Sequence, residues 1–175
     1  MLEGLSLVKP IKSEKSIHLT IVTIVKEDFS GLVETISSVD QQIQQPFEHI
    51  VVGSGFTNSE RTMIAGEYAK PFRSFIWDLD TSLYNAMNLG LQVATGSHVH
   101  FLNAGDCFCN SEAIKRIQDI SSEDVITGFR VLQVCGKVGY VRPGVLFDKK
   151  LIQHSGIVVP RTVEIPTYNE KISIG

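Results

Sequence analysis

Leu19-Thr20-Ile21-Val22-Thr23-Ile24-Val25 is the stretch on which the fold turns. Almost every residue in it is β-branched, and apolar side chains fall on odd and even positions alike. Strict alternation would mark a sheet with one wet face. Near-continuous hydrophobicity marks a strand covered on both faces, as in a parallel sheet between helical layers. Further runs of the same kind follow at His49–Val52, Ser74–Trp77 and His98–Leu102.

The segments between these runs have helical period. Leu32, Val33, Ile36, Val39 and Ile43 recur at helical spacing behind an N-cap read at Ser30. Thr57-Asn58-Ser59-Glu60 has the form of a capping box and predicts a helix start. Leu83, Met87, Leu91 and Ala94 mark one face of a third helix, read as closed by Gly96. Glu112–Ile120 fits a fourth, capped by Asn110 or Ser111. This alternation predicts an α/β fold with a doubly wound, mostly parallel, Rossmann-like sheet and right-handed crossovers. Ligands of such sheets sit beyond the carboxyl ends of the strands. That gathers Lys26–Asp28, Gly53–Asn58, Asp78–Tyr84 and Asn103–Phe108 around one crevice. After Ser122 the pattern changes: Asp124–Ile126 reads as another strand, and Arg130–Val134 with Gly139–Val141 as a hairpin.

Composition narrows the function classes. The chain has 175 residues, 43% hydrophobic and 20% charged, which suits one folded domain and excludes a disordered one. A net charge of −3 gives no grip on a phosphate backbone, so nucleic acid is not expected as a partner. The apolar runs are far too short to span a bilayer. Met1–Ser16 carries Lys9, Lys12 and Lys15 without the apolar run of a secretory signal, and is read as a flexible leader. Cys107, Cys109 and Cys135 are odd in number and lack CxxC spacing, so they read as reduced thiols of a cytoplasmic protein.

Two constellations carry chemistry. In His100-Phe101-Leu102-Asn103-Ala104-Gly105-Asp106, a strand runs into a small-residue turn that ends in a carboxylate. A departing diphosphate needs its charge neutralised, and a divalent cation held by such a carboxylate does that. Ala104 and Gly105 leave room for phosphate and metal beside the backbone, although Asp106 alone could equally be a turn cap. In Asp80-Thr81-Ser82-Leu83-Tyr84, a carboxylate precedes a helix whose N-cap is Ser82. The free N–H groups of its first turn could face phosphate or sugar, or the segment could be an ordinary capped helix with Tyr84 in the core. Gly53-Ser54-Gly55 is not a dinucleotide fingerprint. His98 and His100 share one strand face at metal-like spacing, though structural histidines are commoner.

Taken in order, these segments resemble the family-2 inverting glycosyltransferases with the GT-A fold, in the branch that builds bacterial polysaccharides. Leu19–Lys26 resembles the family's opening strand, and His49–Asn58 its second strand with the "VVDGGSTD" turn. Asp80–Gly90 is similar to the "PDxGIYDAMNKG" segment, and Phe101–Asp106 to the "FLNSGD" version of the metal motif. The resemblance runs from about Leu19 to Phe108 and thinly onward to Glu170. It implies sugar transfer from a nucleotide-diphosphate donor to a hydroxyl of a glycan or lipid-linked saccharide, with inversion, for a cell-surface polysaccharide. It also implies Mg²⁺ or Mn²⁺ on Asp106, and donor contacts from Thr23, Val25, Gly53, Asp80, Tyr84, Asn103, Ala104 and Gly105. The location implied is cytoplasmic, with peripheral contact at the inner membrane face, and a homo-oligomer is left open. Residues 1–16 would be leader, 17–122 the nucleotide-sugar-binding half and 123–175 the start of an acceptor-side region.

The sequence departs from the family at several donor contacts. Gly53 stands where an acid usually meets the base or ribose, Phe56 replaces a Ser, and Asn58 and Asn85 replace Asp. Weak or relaxed nucleotide selection is therefore expected. Tyr168-Asn169-Glu170 resembles the segment just before the family's general base, and Gly175 ends the chain before that acid. The expectation is a chain truncated on its acceptor side, with Glu170 and His154 as the acid–base candidates it retains. A non-catalytic nucleotide- or glycan-binding module of the same fold is the alternative. Oxidoreductase or response-regulator relatives are disfavoured by the lack of GxGxxG and of an acidic cluster after the first strand.

Overall fold

The computed structural model describes residues 16–77, 82–120, 126–127, 130–134, 137–141 and 157–161. The strands are β1 (Leu19–Lys26), β2 (Glu48–Ser54), β3 (Arg73–Trp77), β4 (His98–Phe101), β5 (Ile126–Thr127), β6 (Arg130–Val134), β7 (Lys137–Val141) and β8 (Ile157–Pro160). The helices are α1 (Phe29–Asp40), α2 (Asn58–Glu67), α3 (Leu83–Val93) and α4 (Ala113–Gln118). The main sheet has the order β3-β2-β1-β4-β8-β5, with β1 at its centre. β1 pairs in parallel with β2 and β4, and β2 with β3, whereas β8 runs antiparallel to β4 and β5. The expected α/β sheet is therefore present and mostly parallel. β6 and β7 form the expected antiparallel hairpin as a sheet of their own.

The continuous hydrophobicity of β1 has its cause in two covering layers. Val22 and Ile24 belong to a cluster with Ala86, Met87 and Ala94 of the α3 segment. Leu19 and Ile21 pack instead with Val39 and Ile114, and Val25 with Leu32, Ile36 and Ile64, on the face that carries α1, α2 and α4. Leu19, Ile21, Leu32, Ile36, Ile50 and Met87 are fully buried, each contributing about 1.5–3 kcal/mol of transfer free energy. α3 lies so close to β1 that a Cβ on Gly90 would overlap the Val22 side chain.

The helix ends differ in detail from the sequence reading. α1 is capped by Asp28, whose Oδ1 accepts from Gly31 N at 2.8 Å, and Ser30 lies inside the helix. Either residue type can cap, and the earlier carboxylate takes the free N–H. Ile43 falls beyond α1 and is exposed, so the buried stripe is Leu32, Ile36 and Val39. The capping box at Thr57 and Glu60 is present, and α2 depends on it, since Ile64 is its buried residue. Ser82 caps α3 as expected, but Ala94 closes it in an extended conformation. Gly96 serves close approach instead: a Cβ there would overlap His18 O. α4 is shorter than expected, and Asn110 Oδ1 accepts from Glu112 N at 3.0 Å just ahead of it.

Candidate functional site

The carboxyl ends of β1, β2, β3 and β4 lie along one rim of the sheet, and the turn after β4 is the most firmly built feature there. The pairing of β4 with β1 continues past Phe101, with Leu102 N donating to Val22 O and Ala104 N to Ile24 O, both at 3.0 Å. The chain then leaves the sheet through Gly105, whose φ of +86° suits a residue without a Cβ. Asp106 N closes the turn onto Asn103 O at 2.9 Å.

α1 holds this turn in place. Thr35 is fully buried, and its hydroxyl donates to Asp106 O at 2.8 Å and Asn103 O at 3.2 Å. The same oxygen accepts from Gly105 N at 3.0 Å, and Gly105 N also donates to Gly31 O at 3.0 Å. Gly31 is what allows the helix so near, because a Cβ there would overlap the Asp28 carboxylate and crowd Gly105 N at 2.9 Å. The N-terminal turn of α1, Asp28 and the 103–106 turn thus form one hydrogen-bonded unit.

Within that unit, Asp106 and Asn103 are partly exposed, while the Asn103 Oδ1 atom is buried with no hydrogen-bond partner among the described residues. A buried carbonyl oxygen without a donor costs free energy and suits a ligand hydroxyl or a hard cation. Burial holds the His100 imidazole below its ordinary pKa, against the opposing effects of its contact with Ile157 O and of the Asp106 charge. His100 Nδ1 lies 3.0 Å from Ile157 O, and His98 Nδ1 lies 3.0 Å from Ser97 Oγ. Both rings therefore have structural contacts. Among the described residues no group of three His, Cys, Asp or Glu side chains gathers to hold a metal. Any cation on Asp106 would take its remaining oxygens from a diphosphate and water.

The sequence-predicted residues separate by position. Asn103, Ala104, Gly105 and Asp106 come together in the turn. Val25 and Gly53 lie side by side in register near the ends of β1 and β2. Thr23 is fully buried, one step back from the rim, with its hydroxyl 3.0 Å from His49 Nε2. Tyr84 is half-buried and packs against the cluster under α3. Asp80, His154 and Glu170 lie outside the described residues.

The structure also adds residues that the sequence reading missed. His49 Nδ1 accepts from Arg73 Nε at 2.9 Å, and Arg73 Nη2 meets Asp40 at 2.6 Å, tying β1, β2, β3 and α1 together through buried polar contacts. Burial first, then the Arg73 charge, pushes the His49 pKa down to about 3. At the rim, Glu27 takes φ +54°, with its N–H donating to Ser54 O at 3.1 Å. Trp77, the last residue of β3, lies against Gly53.

No family model matches the chain. Two curated glycosyltransferases of Mycobacterium tuberculosis, from strains CDC 1551 / Oshkosh and ATCC 25618 / H37Rv, are each 30% identical to it over 98 residues. The match covers 55% of this chain but only 37% of each relative. Among solved structures, the mannosyltransferase PcManGT from Pyrobaculum calidifontis, in complex with GDP-Man and Mn²⁺, aligns with a TM-score of 0.55 at 14% identity. That alignment covers 65% of this chain and 35% of the mannosyltransferase. Residues 1–349 of S. aureus TarS, in complex with UDP-GlcNAc, align with a TM-score of 0.50 at 18% identity, over 57% of this chain and 30% of TarS. The chain thus has glycosyltransferase homology, and its mostly parallel α/β fold matches that of solved glycosyltransferases. No helix among the described residues is long and apolar enough to cross a membrane.

Proposed function

We propose that this chain binds the donor in a metal-assisted, inverting glycosyltransferase of family 2, acting in cell-surface polysaccharide synthesis. The donor is a nucleotide-diphospho-sugar, and the acceptor a hydroxyl of a glycan or lipid-linked saccharide. The observation that carries the reading is the 103–106 turn, locked onto α1 by Thr35, with the Asp106 carboxylate at its end and the side-chain Oδ1 of Asn103 without a donor among the described residues. The structural relatives were solved with GDP-Man and Mn²⁺ and with UDP-GlcNAc, which supports a nucleotide-sugar here.

In this reading Asp106, with Asn103 beside it, would hold Mg²⁺ or Mn²⁺ next to the diphosphate. The cation, when bound, supplies positive charge for the departing diphosphate. Ala104 and Gly105 keep the backbone accessible to phosphate oxygens, and Val25 and Gly53 line the side toward the base. Asp80 positions the donor, and Glu170 and His154 are the acid–base candidates that the chain contains. The work place is the cytoplasmic side of the membrane.

Calorimetric titration of UDP with and without manganese tests this. Manganese should tighten UDP binding, while manganese alone binds weakly, because one carboxylate leaves most oxygen positions unfilled. Asp106→Asn should abolish the manganese-dependent gain and leave the metal-free affinity unchanged. Equal affinities with and without metal in the parent chain would remove the metal role. The alternative, a binding module without turnover, draws support from the altered base side at Gly53. Release of sugar from UDP-GlcNAc or GDP-Man in manganese would exclude it.

A further inference from the structure

Trp77 is the single tryptophan of the chain. It ends β3 in register with Gly53 of β2, which in turn stands in register with Val25 of β1. Neighbours in register on parallel strands point to the same face of the sheet, so these residues form the last layer of one face at the rim. The middle member has no side chain, and the indole of Trp77 fills that place. A Cβ on Gly53 would come within 2.5 Å of Trp77 Cζ3 and 2.7 Å of Cε3, distances that no real packing allows. The ring is fixed from two further directions. Phe75 stacks on it at 5.7 Å with an interplanar angle of 11°, and Phe56 meets it edge-on at 5.7 Å and 68°. Even so, Trp77 is only half-buried.

An indole fixed from these directions and still partly open at the rim is a pre-ordered apolar surface for a flat ring. Its place is at the carboxyl rim of the sheet, the same rim as the 103–106 turn, where ligands of such sheets bind. We propose that Trp77 is the nucleobase platform of the donor site. Its indole meets the base by stacking, in the space that a β2 side chain at position 53 would otherwise occupy. Stacking accepts every base because every base has a π-face, so the platform gives affinity with little choice among bases. This inference rests on the reading of the chain as a nucleotide-sugar binder.

Because Trp77 is the only tryptophan, its emission reports directly on the contact. UDP, GDP and inorganic pyrophosphate would each be titrated into the intact chain with manganese, followed in parallel by tryptophan emission and calorimetry. Both nucleotides should quench the emission saturably at the concentrations where calorimetry shows binding, with affinities within about tenfold of each other, while pyrophosphate binds without quenching. Trp77→Leu should weaken UDP and GDP by roughly 5- to 150-fold and leave pyrophosphate unchanged, and Trp77→Phe should recover most of the loss. Gly53→Ala, which keeps the tryptophan but dislodges it, should shift its emission and weaken both nucleotides. Nucleotide binding seen by calorimetry with unchanged emission in the parent chain would overturn the platform and leave the donor reading standing. So would a Trp77→Leu chain that binds UDP like the parent. Failure of the parent chain to bind any of the three ligands would sink the donor reading itself, and the platform with it.

Discussion

Deleting one oxygen from α1 tests whether the 103–106 turn is held from below. Thr35 Oγ1 touches that turn three ways: Asp106 O at 2.8 Å, Asn103 O at 3.2 Å and Gly105 N at 3.0 Å. A hydroxyl has one proton, so the two acceptors share it, and the shorter contact is the stronger. Thr35→Val keeps the shape of the side chain and removes the oxygen. Gly105 N keeps its bond to Gly31 O, and Asn103 O keeps the one from Asp106 N. The loss therefore concentrates on the bond to Asp106 O, together with the burial of polar backbone against a methyl group, about 1–3 kcal/mol. For a chain of this size each kcal/mol moves Tm by about 2–4 °C, so Thr35→Val should melt roughly 2–12 °C lower. Thr35→Ser keeps the hydroxyl and loses one buried methyl, about 1 kcal/mol. Thermal and urea denaturation of the three proteins, with UDP titrations in manganese, gives the answer. The valine variant should be the least stable and should lose manganese-dependent UDP affinity, and the serine variant should keep that affinity. A valine variant that melts with the parent or above the serine variant would refute the hydroxyl's role.

Other consequences follow from the same geometry. Gly31→Ala should destabilise, because its Cβ would overlap Asp28 and crowd the Gly105 amide; helix propensity alone favours Ala by about 1 kcal/mol, so a net loss in urea denaturation isolates the steric contact. The pH dependence of stability should carry the mark of His49, whose pKa is about 3 when folded and 6.5 when unfolded. Between those values the unfolded chain binds a proton that the folded chain refuses, so stability is full above pH 6.5 and falls as the pH drops toward 3, by up to about 1.4 kcal/mol per pH unit. The groups hydrogen-bonded around the ring are Thr23, Arg73 and, behind Arg73, Asp40, so among the described residues no carboxylate bonds to it directly to offset this. Urea midpoints measured from pH 7.5 to 4.5 should show that decline, flattened in His49→Gln; parallel profiles for the two would refute it.

How much was legible in the sequence depended on whether a residue's role was local. The strands declared themselves because burial on both faces forbids alternation, as in Leu19–Val25. The Thr57–Glu60 capping box and the Ser82 N-cap declared themselves because they act within one turn of chain. The Asn103–Asp106 turn was found from its small residues and its terminal carboxylate. Thr35 was not found. In sequence it is one hydroxyl within an amphipathic helix, and its partners lie about 70 residues away. His49 and Arg73 were missed for the same reason: the first reads as part of an apolar strand, and the second as the polar residue before one. Asp28 outcompeted Ser30 as a cap by an energy difference too small for pattern to resolve. β8, which runs antiparallel beside β4, was hidden among short apolar pieces between prolines.

Gly53 shows how a position acquires a packing role that its own residue type does not announce. From the sequence it is a lost acid, hence a lost hydrogen bond to the base. In the structure the gap is filled: the indole of Trp77 lies across it, braced by Phe75 and Phe56. Trp77 and Ala104 of the 103–106 turn both pack against the cluster of Val25, Leu32, Ile36, Val51, Phe56 and Ile64. One packed body thus supports both the place proposed for the base and the place proposed for the diphosphate. Interiors at native packing density transmit strain instead of absorbing it. Space lost at position 53 should therefore be felt through α1 as well as at Trp77, so Gly53→Ala should lower stability in urea denaturation besides shifting the tryptophan emission.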